Sequence, residues 1–253
     1  MADPRELFDL KGRSACVTGA SSGLGRQAAM ALAAEGAQVV AVARRAEALE
    51  SLCSEIGSDA AYVQADVADP SGAQTLAAEI SQPFGAPDIV VHAAGLNTRQ
   101  KADEVTIEEW DKTLAINLSA PFFLSQALVP AMKERGWGRI VNFASLQTSR
   151  AFPGGIAYGA SKGGVGQLTR AMAEAWSPFG ITANAIGPGF FPTELTQSVF
   201  SDEARAAGNA AQTCIGRNGR LEDIDGPLIF LCSDASAYVT GQILMVDGGF
   251  TAK

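Results

Sequence analysis

Three side chains in the middle of the chain have the types and spacing of a proton-transfer site. Tyr158 and Lys162 are four residues apart in the Ala-rich segment 157–176, which predicts a helix with both side chains on one face. A neighbouring ammonium favours the phenolate and lowers the tyrosine pKa from about 10, so the phenol becomes a usable general acid or base. Ser145, upstream, adds a hydroxyl partner. A Tyr–Lys pair at this spacing also occurs on ordinary solvated helix faces, so the assignment depends on the rest of the chain.

A glycine-rich turn near the N-terminus predicts a phosphate-binding site. The apolar strand pattern 14–18 runs into Gly19-Ala20-Ser21-Ser22-Gly23-Leu24-Gly25 and then into the helical pattern 26–35. Gly19 permits a tight turn, Gly23 and Gly25 permit close approach of a pyrophosphate, and the helix N-terminus supplies free N–H groups. The spacing Gly-x-x-x-Gly-x-Gly differs from the Gly-x-Gly-x-x-Gly fingerprint. The turn alone could be a tight connection, but its strand–turn–helix context favours a dinucleotide.

The elements that must position these residues alternate between strand and helix patterns. Apolar runs predict strands at 14–18, 38–43, 60–64, 88–92, 139–143, 181–186 and 243–246. We therefore expect an α/β, doubly wound Rossmann-type fold, with a parallel sheet of about seven strands and helices on both faces, forming a single domain over 1–253. Ligands bind such sheets at the carboxyl ends of the strands. Six candidate residues follow their strands at that edge: Gly19, Ala43, Asp66, Gly95, Ser145 and Gly187.

With these motifs together, the chain resembles the short-chain dehydrogenase/reductase family, in its short single-domain branch, over residues 11–249. The resemblance is carried, in family order, by Thr18, Gly19, Gly23, Gly25, Asp66, Val67, His92-Ala93-Ala94-Gly95, Asn117, Ser145, Tyr158, Lys162, Pro188 and Gly189. The family usually has asparagines where this chain has His92 and Ala93, so only backbone contacts through Ala94 and Gly95 are expected there. The family's enoyl reductases space their Tyr and Lys more widely than this chain does.

The end of the second predicted strand favours NADP(H) over NAD(H). An NAD enzyme places a carboxylate near here to bind the ribose diol, but this chain has Ala43, followed by Arg44 and Arg45. The two guanidinium groups offer charge-assisted donors to a 2′-phosphate, although a pair of surface arginines is also common. Many NADP members carry a basic residue where this chain has Ser22. The cofactor-binding residues implied by the turn, by this strand end and by the resemblance are Gly19, Ser21, Ser22, Gly23, Leu24, Arg44, Arg45, Asp66, Val67, Ala94, Gly95, Tyr158, Lys162, Pro188, Gly189, Phe191 and Thr193.

A proline predicts a kink in the long helical pattern 106–134, which opens with Thr106 and Glu109 as a capping box. Pro121 has no N–H to donate to the carbonyl of Asn117, so the helix is expected to kink there. The resemblance implies that this free carbonyl holds a water linked to the catalytic lysine. It also implies a catalytic set of Asn117, Ser145, Tyr158 and Lys162, a substrate lid at about 190–219, and a homotetramer.

The sequence therefore predicts an NADP(H)-dependent oxidoreductase that moves a hydride between nicotinamide and a ketone or secondary alcohol, with Tyr158 as general acid/base. The expected substrate residues are Ser145, Gln147, Tyr158 and Phe190. A sugar acid, an acyl thioester and an apolar ketone all remain open as substrates, since Arg99 and Arg150 could receive an acid while Phe152, Phe190 and Phe191 favour an apolar ketone. Two alternatives are a catalytically silent nucleotide-sensing scaffold on the same fold and an NAD(H)-dependent sugar-acid dehydrogenase.

Composition limits the partners. The 253-residue chain is 47% hydrophobic and has a net charge of −8, so neither nucleic acid nor an anionic membrane is expected to bind. We see no leader and no apolar run approaching ~18 residues, which makes the cytoplasm the expected location. The lone His92 and four well-separated cysteines predict no metal site.

Overall fold

The computed structural model describes residues 4–253, apart from the side chain of residue 5, and contains one parallel sheet of seven strands. The strands are β1 Ser14–Thr18, β2 Gln38–Ala43, β3 Ala60–Gln64, β4 Ile89–His92, β5 Gly138–Phe143, β6 Ile181–Pro188 and β7 Ile243–Val246. They are hydrogen-bonded in the order β3-β2-β1-β4-β5-β6-β7. The predicted fold class is confirmed, and every predicted strand lies within two residues of its observed bounds. Residues 1–3 of the predicted domain lie outside the described residues.

Helices cover both faces of this sheet. They are α1 Gly23–Ala34, α2 Ala46–Ile56, α3 Ala73–Ile80, α4 Ile107–Leu114, α5 Ala120–Arg135, α6 Ile156–Trp176, α7 Gln197–Phe200, α8 Glu203–Gln212 and α9 Asp225–Cys232. Alternate residues of β1 belong to different apolar clusters, because successive side chains of a strand point to opposite faces. Val17 packs with residues of α1 and α9, whereas Cys16 packs with residues of α5 and α6. The two clusters hold the helices that carry the site against the sheet.

The long helical stretch from α4 to α5 contains the predicted irregularity, in a different form. Instead of a simple kink, Ala115–Ser119 forms a π-helical turn, in which the Ala120 N–H donates to the Ala115 carbonyl five residues earlier. Pro121 lies at the start of α5, where its missing N–H breaks the ordinary ladder. Asn117 is therefore held in a π turn, which is a common feature of functional sites.

The same stretch, Ile107–Arg135, is long and apolar enough to cross a membrane by length and composition alone, although the sequence led us to expect no such segment. It spans 29 residues and contains a window of mean hydropathy 1.4, of which 44% is buried. Leu124, Leu128 and Met132 of this stretch pack in the core cluster on one face of the sheet. Burial in that core accounts for its apolar composition.

The strand order places a crevice at one edge of the sheet. The strand order reverses at β1, because β2 and β3 lie on one side of it and β4 to β7 lie on the other. A crevice opens where the order reverses, outside the carboxyl ends of β1 and β4. Thr18 and His92, the last residues of those two strands, are paired in the register.

Candidate active site

A cavity of about 550 Å³ opens at this crevice, and it brings together most of the residues that the sequence singled out. Its wall contains the glycine turn, the ends of β2, β4 and β5, and part of α6. The predicted site residues in the wall are Gly19, Ser21, Ser22, Gly23, Leu24, Arg44, Arg45, Asp66, Val67, Ala94, Gly95, Tyr158, Lys162, Pro188 and Thr193. These segments are far apart in the chain and meet only because parallel strands end at one edge.

Two positions of the glycine turn, Gly19 and Gly25, are packed too tightly against backbone for a side chain. Gly19 has φ +70°, and a Cβ there would lie 2.6 Å from the backbone nitrogen of Ala94. A Cβ on Gly25 would lie 2.3 Å from the Gly19 carbonyl oxygen. The missing side chains let the turn, the N-terminus of α1 and the loop after β4 approach one another. This arrangement fits a pyrophosphate held by backbone N–H groups.

Tyr158 is half-buried in the cavity wall, where its surroundings shift the pKa of its phenol. Burial raises the pKa of Tyr158, while the Ser145 hydroxyl and the positive charge of Arg99 lower it. The Lys162 ammonium lies 5.7 Å from the centre of the Tyr158 ring, within the range of a cation–ring contact. Arg99 is a cation that lowers the pKa of Tyr158 in this structure, and the predicted effect of Lys162 on the same pKa stays a prediction.

Lys162 is held at the end of β5. Its ammonium donates a 2.6 Å hydrogen bond to the Phe143 carbonyl oxygen, and the residue is only 4% exposed. Burial lowers the pKa of Lys162 to about 8. The lysine can therefore exchange protons near neutrality while remaining beside the tyrosine, which suits a proton path to solvent.

The lowered Lys162 pKa predicts a specific dependence of stability on pH. Because the folded pKa, about 8, lies below the value of 10.5 for a free lysine, the unfolded chain binds more protons between these pH values. The free energy of unfolding contributed by this group therefore rises from pH 8 to 10.5, by up to about 3 kcal/mol. Urea unfolding of wild type and Lys162→Met at several pH values measures it, with the difference between the two increasing with pH. A constant difference would show that Lys162 titrates normally.

Asn117 makes its contacts through its side chain as well as lying in the π turn. Its amide accepts from the Leu96 N–H (2.8 Å), and donates to the Leu96 carbonyl and to the Ser161 hydroxyl (both 2.9 Å). Ser161 in turn donates to the Tyr158 carbonyl. This buried asparagine joins the loop after β4 to the helix that carries Tyr158. The sequence analysis missed Ser161, because a serine inside a helix carries no distinguishing signal.

Ser145 and Gln147 lie next to the cavity without forming its wall. Ser145 begins a turn in which its hydroxyl accepts from the Gln147 N–H at 3.1 Å, so its own proton remains free to donate. A substrate oxygen near Tyr158 is a suitable acceptor. The Gln147 side-chain oxygen is buried and has no partner among the described residues. A buried unpaired acceptor of this kind is costly unless a ligand or water satisfies it.

The phenylalanines predicted to contact ligands do not line the main cavity. Phe190 packs edge-on against Phe152 and Phe250, with ring centres 6.2 and 5.7 Å apart. Phe191 is 2% exposed and belongs to the core. Both, with Gly189, face a separate cavity of about 280 Å³. Phe190, Phe191 and Gly189 therefore lie outside the main cavity wall, and their predicted contacts with cofactor or substrate stay predictions.

The arginines near the cavity differ in their contacts. Arg44 lies 3.8 Å from Asp66 and is largely exposed, whereas Arg45 pairs with Glu194 at 2.9 Å. Arg99 is the one non-glycine residue with positive φ (53°) in the described part of the chain. A side chain rarely adopts this conformation unless the surroundings require it. Arg99 thus holds a positive charge near the Tyr158 phenol at a small backbone cost.

Comparison with known proteins gives full-length matches. A family model described as enoyl-(acyl carrier protein) reductase matches residues 19–251. Gluconate 5-dehydrogenase of Gluconobacter oxydans (strain 621H) is 40% identical over 251 residues, which is 98% of each chain. Among solved structures, a gluconate 5-dehydrogenase from Burkholderia cenocepacia J2315 in complex with NADP and tartrate is 36% identical with a TM-score of 0.93, covering 98% of both chains. A provisionally named NAD(P)-dependent gluconate 5-dehydrogenase from Beutenbergia cavernae, with bound NADP at low occupancy, is 41% identical with a TM-score of 0.93, covering 98% of this chain and 100% of that one.

Proposed function

The chain belongs to the short-chain dehydrogenase/reductase family, and on that basis we propose that it is an NADP(H)-dependent oxidoreductase acting on an anionic sugar-acid type of substrate. The observation that carries the proposal is one cavity whose wall contains the glycine turn, Tyr158 and Lys162. Relatives that match over almost their full length include sugar-acid dehydrogenases and a 3-oxoacyl-(acyl-carrier-protein) reductase. The four-residue Tyr–Lys spacing favours this chemistry over the enoyl reduction named in the family model.

The proposed reaction assigns one proton-handling role to each polar group of the site. When bound, the nicotinamide ring supplies or accepts the hydride. Ser145 donates its free proton in a hydrogen bond to the reacting oxygen, which holds that oxygen beside the Tyr158 phenol. Burial keeps the Tyr158 phenol protonated near neutrality, so it can donate its proton as a ketone is reduced. Lys162, with its lowered pKa of about 8, passes protons onward toward solvent.

Two observations favour the phosphorylated cofactor. Residue 43, where a carboxylate would bind a ribose diol, is Ala43 and is 8% exposed. Arg44 and Arg45 both lie in the cavity wall beside the glycine turn, where their charge suits a 2′-phosphate. NADP is bound in the two gluconate dehydrogenase structures described above. The glycine turn fits the shared pyrophosphate, and the two arginines fit the additional phosphate.

The site favours an anionic, polar substrate over an apolar ketone. The aromatic rings that could have lined an apolar pocket are used in packing: Phe190 packs with Phe152 and Phe250, and Phe191 lies in the core. Arg99 instead places a guanidinium within electrostatic reach of the Tyr158 phenol. A substrate carboxylate can bind such a group while the reacting alcohol of the same molecule reaches Tyr158. The related enzyme bound to tartrate has a dicarboxylate as its ligand.

Arg99→Gln tests the substrate assignment. We expect kcat/KM for gluconate to fall about 10- to 100-fold, because a charge-assisted hydrogen bond contributes ~1.5–3 kcal/mol. The measurement is the ratio of kcat/KM for gluconate to that for an uncharged polyol, in which any shared effect of Arg99 on Tyr158 cancels. Arg150→Gln is the control, since Arg150 contacts the carbonyl of Lys253 instead. An unchanged ratio in Arg99→Gln would remove the support for an acidic substrate.

A further inference from the structure

Glu194 lies in the cavity wall together with Arg44 and Arg45, the two arginines that follow β2. It is already paired with Arg45. Its carboxylate accepts a 2.9 Å hydrogen bond from Nη1 of Arg45, although 149 residues separate the two in the chain. The same guanidinium donates through Nε and Nη2 to the Ser21 hydroxyl, at 3.3 and 3.0 Å. Arg45 and, to a lesser degree, the Ser22 hydroxyl hold the pKa of Glu194 below its usual value. The Glu194 carboxylate is thus a negatively charged group bound to Arg45 beside the glycine turn.

The residues around Glu194 hold the start of the predicted lid over the cavity. Thr193 lies against the glycine turn, since a Cβ on Gly23 would come within 3.1 Å of its side chain. The Leu195 carbonyl accepts a 2.7 Å hydrogen bond from the Arg99 guanidinium. Residues 193–195 are therefore attached at the glycine turn, at Arg45 and at Arg99. Two of these attachments use arginines that the proposed function assigns to anionic groups of ligands.

Arg45 cannot serve Glu194 and an incoming phosphate with the same donors. A guanidinium has five N–H groups in a planar fork, and here Nη1 is directed to the carboxylate while Nε and Nη2 point to Ser21. A 2′-phosphate binds best to two parallel donors of one guanidinium. It also carries charge of the same sign as the Glu194 carboxylate. A phosphate that takes the Nη1 donor of Arg45 therefore competes with Glu194, because the carboxylate already uses that donor and the two anions repel each other.

We infer that Glu194 is a cofactor-discriminating residue that competes with the 2′-phosphate of NADP(H) for Arg45. The inference builds on the proposed use of Arg45 for that phosphate. NAD(H) has no such phosphate and leaves the Glu194–Arg45 pair intact, whereas NADP(H) displaces Glu194 and thereby detaches one anchor of the predicted lid. Glu194 thus weakens NADP(H) binding selectively and links it to movement of residues 193–195.

Glu194→Gln tests this competition, because it removes the charge and keeps the length of the side chain. The ion pair is largely exposed, with side-chain exposures of 51% and 63%, so the expected effect is modest. By calorimetry, the Kd for NADP⁺ should fall about two- to fivefold, while the Kd for NAD⁺ should change by less than about 1.5-fold. Glu203→Gln is the matched control, since Glu203 is an exposed acid of the same segment in the first turn of α8. Equal changes for both cofactors, or the same change in Glu203→Gln, would overturn the inference.

A double-mutant cycle separates competition for Arg45 from simple charge repulsion. If Glu194 acts through Arg45, Glu194→Gln should have no effect on NADP⁺ binding in an Arg45→Gln background. Persistence of the full effect there would assign it to repulsion and contradict the inference. Adenosine 2′,5′-bisphosphate, used as a second ligand, carries the phosphate without the nicotinamide. If wild type binds NAD⁺ more tightly than NADP⁺, the proposed cofactor is wrong, but the response of bisphosphate binding to Glu194→Gln still decides the role of Glu194.

Discussion

Tyr158→Phe is expected to lower kcat by a factor of about 10²–10⁴ while leaving the fold and NADP⁺ affinity close to those of wild type. The substitution removes one oxygen from a ring that otherwise keeps its shape in the cavity wall. Burial keeps the phenol protonated near neutrality, so wild type has a proton donor at the reacting oxygen and the variant has none. The loss should appear in kcat and kcat/KM alike, because the proton moves only in the transition state.

The measurement is steady-state kinetics with calorimetric NADP⁺ binding on the same preparations. Tyr238→Phe is the control, since Tyr238 is a fully exposed tyrosine outside the cavity wall and should retain full activity. A Tyr158→Phe variant with kcat within threefold of wild type would remove Tyr158 from the mechanism. A variant that has lost NADP⁺ binding would instead make Tyr158 a binding residue.

Gly25→Ala is expected to weaken cofactor binding strongly through the backbone alone. An added Cβ would lie 2.3 Å from the Gly19 carbonyl oxygen, a distance that real contacts essentially never show, so the turn must move away from α1. Overpacking of this kind costs about 1–3 kcal/mol of stability. Displacement of the turn should also weaken NADP⁺ binding at least tenfold, since tenfold corresponds to only ~1.4 kcal/mol.

Gly208→Ala is the matched control for Gly25→Ala, and it is expected to raise stability instead of lowering it. Gly208 lies inside α8, and nothing is within 4 Å of the position its Cβ would take. Alanine is favoured over glycine inside a helix by up to about 1 kcal/mol, so Tm should rise and NADP⁺ affinity should stay unchanged. Thermal unfolding and calorimetry of the two variants make the comparison. Normal NADP⁺ binding by Gly25→Ala would show that the glycine turn does not hold the pyrophosphate.

The sequence predicted the sheet well because each strand is a short apolar run bounded by turn residues. The clearest case is the run from Ser14 to Thr18, whose observed bounds equal the predicted ones. Helix irregularity was harder to predict. Pro121 showed that the helical hydrogen bonds are interrupted near Asn117. Whether the helix then kinks or forms a π turn depends on packing against α6 and the loop after β4.

The sequence predicted those parts of the site where the backbone conformation permits only glycine. It missed the contacts between side chains of distant segments. Glycines at close backbone contacts can be identified from the chain alone, as Gly19 and Gly25 were. The pairing of Arg45 with Glu194 carries no local signal, because the two residues come together only when the segment after β6 folds over β2. The same reason explains the packing of Phe190 against Phe152 and Phe250, which are distant from it in sequence.

The central claim is that this chain transfers a hydride between NADP(H) and a sugar acid with Tyr158 as the proton donor or acceptor. The most direct test follows formation of reduced nicotinamide by wild type and Tyr158→Phe, with gluconate and either NADP⁺ or NAD⁺ as cofactor. The account predicts turnover by wild type, a higher kcat/KM with NADP⁺ than with NAD⁺, and loss of at least 99% of that turnover in Tyr158→Phe, the lower limit of the general-acid effect of about 10². Tight NADP⁺ binding by wild type without nicotinamide reduction or oxidation, across gluconate, its keto form and uncharged polyols, would contradict it and would identify a nucleotide-binding protein without catalysis.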